Sequence, residues 1–140
     1  MEAALVADCS AFLPLCFEDE SSEIADAMIA EIASHGALVP AIWWYEIRNV
    51  LIVNERRGRI EASQSDQFLN LLGRLPIAVV LDDDETGAAG IARRFRLSVY
   101  DAAYLALAQR RQLPLATLDR KLAEAARAAD VTLFGGCGFS

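Results

Sequence analysis

Residues 99–119, VYDAAYLALAQRRQLPLATLD, contain a helix-like run, a break and a short apolar run. Apolar residues between 100 and 111 recur at the spacing of an amphipathic helix, and Leu113-Pro114 interrupts that pattern at the start of LPLAT. Such a short apolar segment is typical of a fully buried strand. A helix that leads into a buried strand is the second half of a crossover between parallel strands. The stretch therefore predicts an α/β fold.

Short apolar runs alternate with helical patterns along the rest of the chain. The candidate strands are ALVA at 4–7, ALVP at 37–40, IAVVL at 77–81, LPLAT at 113–117 and VTLF at 131–134. The candidate helices cover residues 21–34, 41–57, 61–74, 84–96, 100–111 and 119–129. Ser21 or Ser22 would cap the first of them, which His35-Gly36 ends. This alternation predicts a three-layer α/β/α sandwich around a mainly parallel central sheet of about five strands.

The chain has the size of one ordinary domain. Its 140 residues are 54% apolar, which is enough for a sizeable core, so we predict a single domain over residues 1–140 with a flexible tail from about residue 135. No window approaches the roughly 18 consecutive apolar residues of a membrane helix, and the N-terminus MEAALVADCS lacks the basic start of a signal peptide. These features predict a cytoplasmic protein that does not enter a membrane.

Neither the cysteines nor the histidine predict a site. Cys9, Cys16 and Cys137 form no CxxC pair and no zinc spacing, so we interpret them as small buried apolar residues. His35 ends a predicted helix far from the acids in sequence, which is typical of a surface or cap residue.

The charged residues are unevenly distributed. The formal net charge is -7, yet residues 48–140 hold all thirteen basic side chains, and every one except Lys121 is Arg. Arg binds phosphate and carboxylate groups bidentately, so this region could hold RNA or an acidic partner; solvated positions on helix surfaces explain the same residues equally well. The candidates for contact with RNA phosphate are Arg93, Arg94, Arg96, Arg110, Arg111, Arg120 and Lys121.

Four acids occupy positions at which the predicted elements converge. Asp8 directly follows the first strand and Asp119 closely follows LPLAT. The carboxyl ends of parallel strands share one edge of the sheet, where ligands bind. Asp101 begins a helix, where it could instead cap the first turn, and isolated Asp residues at such places are often structural. Glu46 lies one turn into AIWWYEIRNVL, with Asn49 on the same face.

Glu46 is the hardest of these acids to explain as a surface residue. Apolar residues surround it on its helix, and a buried carboxylate needs a compensating partner. The first 120 residues contain no Lys, so a cation from outside the chain is a natural candidate. Converging carboxylates raise one another's pKa values, and Mg²⁺ or Mn²⁺, which prefer oxygen ligands, would relieve that repulsion. Such an ion can also activate water for phosphodiester hydrolysis.

The segments around the four acids resemble those of PIN-domain ribonucleases, most closely the VapC toxins of VapBC toxin–antitoxin pairs. The resemblance lies in VADCSAFL, PAIWWYEIRNVL, LSVYDAAYLALAQRR and LPLATLDRKL, and it covers nearly the whole chain. It implies a PIN-like fold and a Mg²⁺- or Mn²⁺-dependent endoribonuclease that is usually a homodimer. It also implies inhibition by a cognate VapB-like antitoxin, whose C-terminal segment covers the active-site groove.

The resemblance also implies roles for individual residues. The catalytic and metal-binding positions correspond to Asp8, Glu46, Asp101 and Asp119, with Asp8 and Asp101 the most direct ligands. The supporting positions correspond to Ser10, Asn49 and Thr117, and the two hydroxyls either orient the acids or satisfy nearby backbone groups. Two features depart from the family pattern, namely Cys9 in place of a residue such as Ala and the bulky cluster Trp43-Trp44-Tyr45. Both bear on packing or substrate choice.

Other functions stay open at this point. A catalytically silent PIN-fold binding or regulatory module and a housekeeping RNA-processing nuclease are both compatible with the sequence. An aspartyl-nucleophile phosphatase would also place an Asp after the first strand, but that chemistry usually needs a second acid two residues later, where this chain has Ser10. Neither the RNA that is cut nor the antitoxin can be read from these residues.

Overall fold

A central parallel sheet organises the molecule. The computed structural model describes residues 3–17, 22–81 and 85–135. Its four strands are β1 (Leu5–Ala7), β2 (Ala37–Pro40), β3 (Ile77–Val80) and β4 (Leu115–Ala116). They pair in the order β3-β2-β1-β4, and every pair is parallel. The predicted α/β class and the mainly parallel sheet are therefore confirmed.

Helices connect the strands and cover the sheet. They are α1 (Cys9–Phe12), α2 (Glu23–His35), α3 (Trp43–Arg56), α4 (Ala62–Gly73), α5 (Glu85–Phe95), α6 (Val99–Arg111) and α7 (Arg120–Ala128), with a short 3₁₀ turn at Leu13–Leu15. The six predicted helices agree with α2 to α7 to within two residues at each end. As predicted, Ser22 caps α2, because its Oγ accepts a hydrogen bond from the Ala25 N–H at 3.2 Å.

The predicted fifth strand at 131–134 is wrong as a strand. Leu133 forms an isolated parallel bridge with Leu115, supported by hydrogen bonds from the Leu115 N–H to the Thr132 carbonyl and from the Phe134 N–H to the Leu115 carbonyl. Because β4 contains just two residues, it offers too short an edge for a further strand. The segment therefore lies beside β4 without forming the predicted strand.

Helix α1 and the 3₁₀ turn were not predicted. The Asp8 side chain accepts a hydrogen bond from the Ala11 N–H at 3.2 Å and so starts a helix directly after β1. Pro14 lies in the first turn of the 3₁₀ segment, where its missing N–H costs no hydrogen bond. Both elements are too short to produce a readable hydrophobic period.

The core lies between β1, β2 and the inner face of α6. All three residues of β1 are fully buried, which explains the continuous apolar run at 4–7. Helix α6 packs against β1, β2 and α5 through a face rich in Ala and Leu. Cys9 is buried as predicted and Cys16 packs partly buried against the core, whereas Cys137, Ser21 and most of the predicted tail lie outside the described residues. None of the described helices is both long and apolar enough to span a membrane.

Candidate active site

Asp8 is held at the carboxyl edge of the sheet, between β1 and β4. Its backbone N–H donates to the Ala116 carbonyl at 3.1 Å, which extends the pairing of the two strands by one residue. Its side chain caps α1, and the residue is 5% exposed. The sequence rule that places acids at this edge therefore agrees with the position of Asp8.

Two hydroxyl groups fix the Asp8 carboxylate. Ser10 Oγ donates to Oδ1 at 2.7 Å, and Thr117 Oγ1 donates to Oδ2 at 2.6 Å. Each hydroxyl also accepts a backbone hydrogen bond, Ser10 from the Leu118 N–H at 2.8 Å and Thr117 from the Asp119 N–H at 3.0 Å. The two interpretations open in the sequence are therefore both correct, since the hydroxyls satisfy backbone donors and orient the acid.

Glu46 is held from the opposite side by a residue that sequence reasoning missed. Its carboxylate, half-buried in the first turn of α3, accepts a hydrogen bond from the hydroxyl of Tyr104 on α6. Tyr104 is 1% exposed, so its hydroxyl depends on Glu46 for a partner. The signal in the sequence was the spacing of Tyr104 three residues after Asp101, which places both on one face of α6.

Asp101 and Asp119 both lie at helix starts but differ in their backbone roles. Ser98, rather than Asp101, caps α6, because its Oγ accepts from the Asp101 N–H at 3.0 Å. The N-cap is therefore Ser98, and Asp101 lies in the first turn of the helix. Asp119 does cap α7, with Oδ1 accepting from the Leu122 N–H at 3.0 Å, so one of its oxygens already has a structural partner.

All four acids line one cavity of about 230 Å³. Its other lining residues are Cys9, Ser10, Leu13, Asn49, Val50 and Tyr104. The acids come from the end of β1, the first turn of α3, the first turn of α6 and the start of α7. Residues far apart in sequence are thus brought together at the carboxyl edge of the sheet, with Asn49 one turn from Glu46 on α3.

The pKa values of three of these acids are raised. Burial is the largest cause of the rise at Asp8, whose pKa is about 7 despite the opposing hydrogen bonds from Thr117 and Ser10; the Asp119 charge raises it further. Burial also raises the pKa of Glu46, assisted by the charge of Asp101. The pKa of Asp101 rises through burial and the Asp119 charge, against a lowering by Lys121. The carboxylates therefore act on one another as like charges.

The carboxylates suit a hard divalent ion by their chemistry, although they are not preassembled around one. In the described parts of the chain, no group of three or more His, Cys, Asp or Glu side chains is placed so that it could hold a metal ion. Hydrogen bonds from Ser10, Thr117 and Tyr104 occupy oxygens of Asp8 and Glu46. Because a carboxylate oxygen has more than one lone pair, an ion would share these oxygens with their hydrogen-bond donors or use the oxygens that accept none, after side-chain rotations. The cavity is large enough for an ion with several water molecules.

Other residues singled out in the sequence have different surroundings. Burial and the Asp8 charge raise the pKa of Cys9, so its thiol stays protonated and is not a nucleophile. Trp43 is fully buried against Phe12, with ring centroids 5.2 Å apart, and serves the core. The predicted phosphate contacts are exposed, and Lys121 is close enough to act electrostatically on Asp101. These exposed residues are Arg93, Arg94, Arg96, Arg110, Arg111, Arg120 and Lys121.

Comparison with known proteins gives consistent matches over most of the chain. The family model described as PIN domain matches residues 5–128. Ribonuclease VapC3 of Pyrobaculum aerophilum is 35% identical over 127 residues, which are 86% of this chain and 92% of that protein. The crystal structure of PAE2754 from Pyrobaculum aerophilum matches with a TM-score of 0.69 and 25% identity over 89% of this chain and 87% of that one. A toxin–antitoxin complex from Klebsiella pneumoniae, 16% identical, shares the fold with a TM-score of 0.57 over 83% of this chain and 87% of that one.

Proposed function

The chain belongs to the PIN domain family, and we propose that it is a Mg²⁺- or Mn²⁺-dependent endoribonuclease that acts as the toxin of a type II toxin–antitoxin pair. The family inferred from the four acidic segments is thereby confirmed. The observation that carries the enzymatic proposal is the convergence of Asp8, Glu46, Asp101 and Asp119 on one cavity. A relative named as a ribonuclease supports the substrate class.

The four acids would hold the metal. Asp8 and Asp101 are proposed as the most direct ligands, with Glu46 and Asp119 completing the site directly or through water. A divalent ion in this position would supply an activated water and stabilise the negative charge that develops on the phosphodiester. Ser10 and Thr117 fix the orientation of Asp8, and Tyr104 fixes that of Glu46. Asn49, which is exposed and lines the cavity, would donate a hydrogen bond to the substrate.

Among the basic candidates for contact with RNA phosphate we favour Lys121, which is exposed in the first turn of α7 and whose charge lowers the pKa of Asp101. Arg120 precedes it in the first turn of α7, while Arg93, Arg94 and Arg96 lie near the end of α5 and would extend a contact surface along the RNA. A cytoplasmic homodimer, inhibited by a VapB-like antitoxin, follows from the resemblance to VapC toxins. The toxin role rests on that resemblance and on the name of the related protein.

The experiment that tests the nuclease is cleavage of total cellular RNA by the purified protein with Mn²⁺ or Mg²⁺, with EDTA, and with Asp101→Asn prepared in parallel. We expect discrete fragments that require both the metal and Asp101. A melting-temperature increase on adding Mn²⁺ would report metal binding independently of activity. A protein that binds Mn²⁺ but cleaves no RNA would favour the silent binding module.

The toxin role needs a separate test. Induced expression of the wild-type chain should arrest growth, expression of Asp101→Asn should not, and co-expression of the cognate antitoxin should restore growth. RNA cleavage in vitro without growth arrest would favour the housekeeping nuclease.

A further inference from the structure

Arg59, in the turn between α3 and α4, is exposed but held in one orientation. Its Nη1 donates to Asn54 Oδ1 at 3.2 Å, and its Cζ lies 4.2 Å from the centroid of the Phe17 ring. Its backbone N–H donates to the Asn54 carbonyl at 3.0 Å, so main chain and side chain are both tied to α3. We propose that the Arg59 guanidinium binds an RNA phosphate away from the bond that is cut. This inference rests on the ribonuclease function proposed above and adds a phosphate subsite outside the acidic cavity.

The residues that hold Arg59 continue one wall of the acidic cavity. Leu13 and Val50 line that cavity. Phe17 follows Leu13 by four residues, and its N–H donates to the Leu13 carbonyl at 3.1 Å. Asn54 follows Val50 by one turn of α3, and its Nδ2 donates to the Val50 carbonyl at 2.8 Å. The two residues that hold Arg59 therefore lie one turn beyond the two that form this wall.

Helix geometry sets the distance of Arg59 from the acids. Asn54 follows Glu46 on α3 by two helical turns, which corresponds to a rise of about 12 Å. Arg59 therefore serves a different phosphate of the strand from the one at the proposed ion. A remote contact of this kind binds the ground state and the transition state equally, so it contributes to RNA affinity and not to the chemical step.

Folding alone does not require a polar residue at position 54. Asn54 is 7% exposed, and the other buried residues of α3 are Trp43, Ile47 and Leu51. A buried amide costs free energy unless it is hydrogen-bonded, and an apolar side chain would fill the same place without that cost. One of the two side-chain bonds of Asn54 stays within its own helix, and the other orients Arg59. The contribution that only the amide can make is therefore to fix the guanidinium.

A guanidinium that is fixed in advance suits phosphate. It is planar and can donate two parallel hydrogen bonds to a phosphate group. A long side chain normally loses rotamer freedom when it binds, but Phe17 and Asn54 already restrict that of Arg59. Gly58, with a φ of 76°, allows the turn that brings Arg59 back to Asn54. The local backbone and both neighbours therefore prepare Arg59 to bind an anion.

Salt-dependent RNA binding tests the proposal. Asp101→Asn serves as the parent, because it is expected to bind RNA without cleaving it. The probe is a fluorescein-labelled unstructured 12-nucleotide RNA at a fixed low Mg²⁺ concentration, in KCl from about 50 to 200 mM. Arg59→Gln should raise Kd roughly 5- to 50-fold at the lowest salt. It should also reduce the slope of log Kd against log salt by about 0.7, the share of one phosphate contact on a single strand.

Two further variants separate the charge of Arg59 from its orientation. Arg59→Lys keeps the charge but not the planar fork, so the salt slope should stay and the loss of affinity should be smaller. Asn54→Leu leaves Arg59 in place without its acceptor. This variant should raise Kd roughly 2- to 10-fold at an unchanged slope, because the guanidinium must then be ordered on binding.

Controls exclude a general effect of charge or folding. Arg74→Gln removes an exposed charge just before β3, at the amino edge of the sheet and away from the cavity, and it should change neither Kd nor the slope. The melting temperature of each variant reports its folding. An equal loss of affinity in Arg74→Gln, or a loss in Arg59→Gln that leaves the salt slope unchanged, would show that Arg59 contacts no phosphate and would overturn the proposal.

The outcomes also distinguish this inference from the function on which it rests. If the wild type cleaves RNA and Arg59→Gln binds with the Kd and the salt slope of the parent, the phosphate subsite alone fails. If the wild type cleaves no RNA and the parent binds none, the ribonuclease function fails and the subsite fails with it.

Discussion

The carboxylates of Asp8 and Glu46 face one cavity, but the protein holds them differently. Asp8 is 5% exposed and accepts hydrogen bonds from two hydroxyls and one backbone N–H, which belong to α1 and to the residue that follows β4. Glu46 is half-buried and accepts one side-chain hydrogen bond, from Tyr104 across the gap between α3 and α6. Asp8 and its donors therefore form one half of the site, the sheet half. Glu46 and Tyr104 form the other, the helix half, which depends on how α3 and α6 are positioned.

This difference assigns different tasks to the two halves. Preorganised ligands lose little entropy on binding an ion, so the Asp8 side would fix the position of the proposed ion. A carboxylate held by one hydrogen bond can rotate and adapt, so the Glu46 side can adjust to a metal with its waters and substrate. The following substitutions remove a charge or a hydrogen bond from each half in turn.

The largest effect is expected from Asp8→Asn. If Asp8 is a direct ligand as proposed, its loss should lower RNA cleavage about 1000-fold or more, because several kcal/mol of transition-state stabilisation would depend on the ion. The metal-free variant should melt at the same temperature as wild type or higher, since a buried charge and its repulsion with Asp119 are removed. Cleavage of total RNA and a thermal melt in EDTA measure both. Inactivity caused by unfolding would contradict the assignment.

Thr117→Val removes hydrogen bonds of the sheet half without changing any of the four acids. It removes the donor to Asp8 Oδ2 and the acceptor of the Asp119 N–H inside a fully buried environment. We expect a loss of about 1–3 kcal/mol in the free energy of unfolding and a 10- to roughly 100-fold loss of activity. Urea unfolding and cleavage rates check these values. Thr132→Val, at an exposed position, is the matched control and should change neither.

Tyr104→Phe tests the helix half and should be milder. It deletes the hydroxyl that holds Glu46, but the half-exposed carboxylate can recruit water instead. We expect roughly 10-fold lower activity at limiting Mn²⁺, a smaller deficit at saturating Mn²⁺, and a stability loss within about 1.5 kcal/mol. A deficit as large as that of Thr117→Val would show that the two halves are equally preorganised.

The sequence predicted the fold well where apolar runs and periods are long. The six helices α2 to α7 and four strands could be located because buried parallel strands read as continuous apolar runs, as LVA in β1 does. Helix α1 could not be located, because one hydrogen bond from the Ala11 N–H to the Asp8 side chain decides its start. The fifth strand failed for a related reason, since the length of β4 depends on tertiary pairing and not on the composition of LPLAT.

For the candidate site, the sequence located the four acids but missed part of what holds them. The carboxyl-edge rule placed Asp8 and Asp119, and the apolar surroundings of Glu46 suggested burial. Tyr104 looked like one more apolar residue in YLALA at 104–108, because nothing local shows that its hydroxyl faces Glu46. Ser98 and not Asp101 caps α6. The sequence alone does not show at which of these two polar residues the helix starts.

The remaining effect is the pH dependence of the stability of the metal-free protein. The pKa of Asp8 is about 7 in the folded state and about 3.9 in an unfolded chain, so between these values the folded protein binds a proton that the unfolded chain has released. Stability should therefore decrease as pH rises through this window, and the raised pKa values of Glu46 and Asp101 act in the same direction.

Urea unfolding in EDTA at about pH 5.5 and 8 measures this dependence, and the window itself follows from the folded and unfolded pKa values. The midpoint should be higher at the lower pH, and Asp8→Asn should reduce the difference. Saturating Mn²⁺ should reverse the trend, because an ion binds the deprotonated carboxylates. If the metal-free wild type were more stable at the higher pH, Asp8 would be ionised in the absence of a metal ion. The sheet half would then need no metal ion to offset the charge of Asp8.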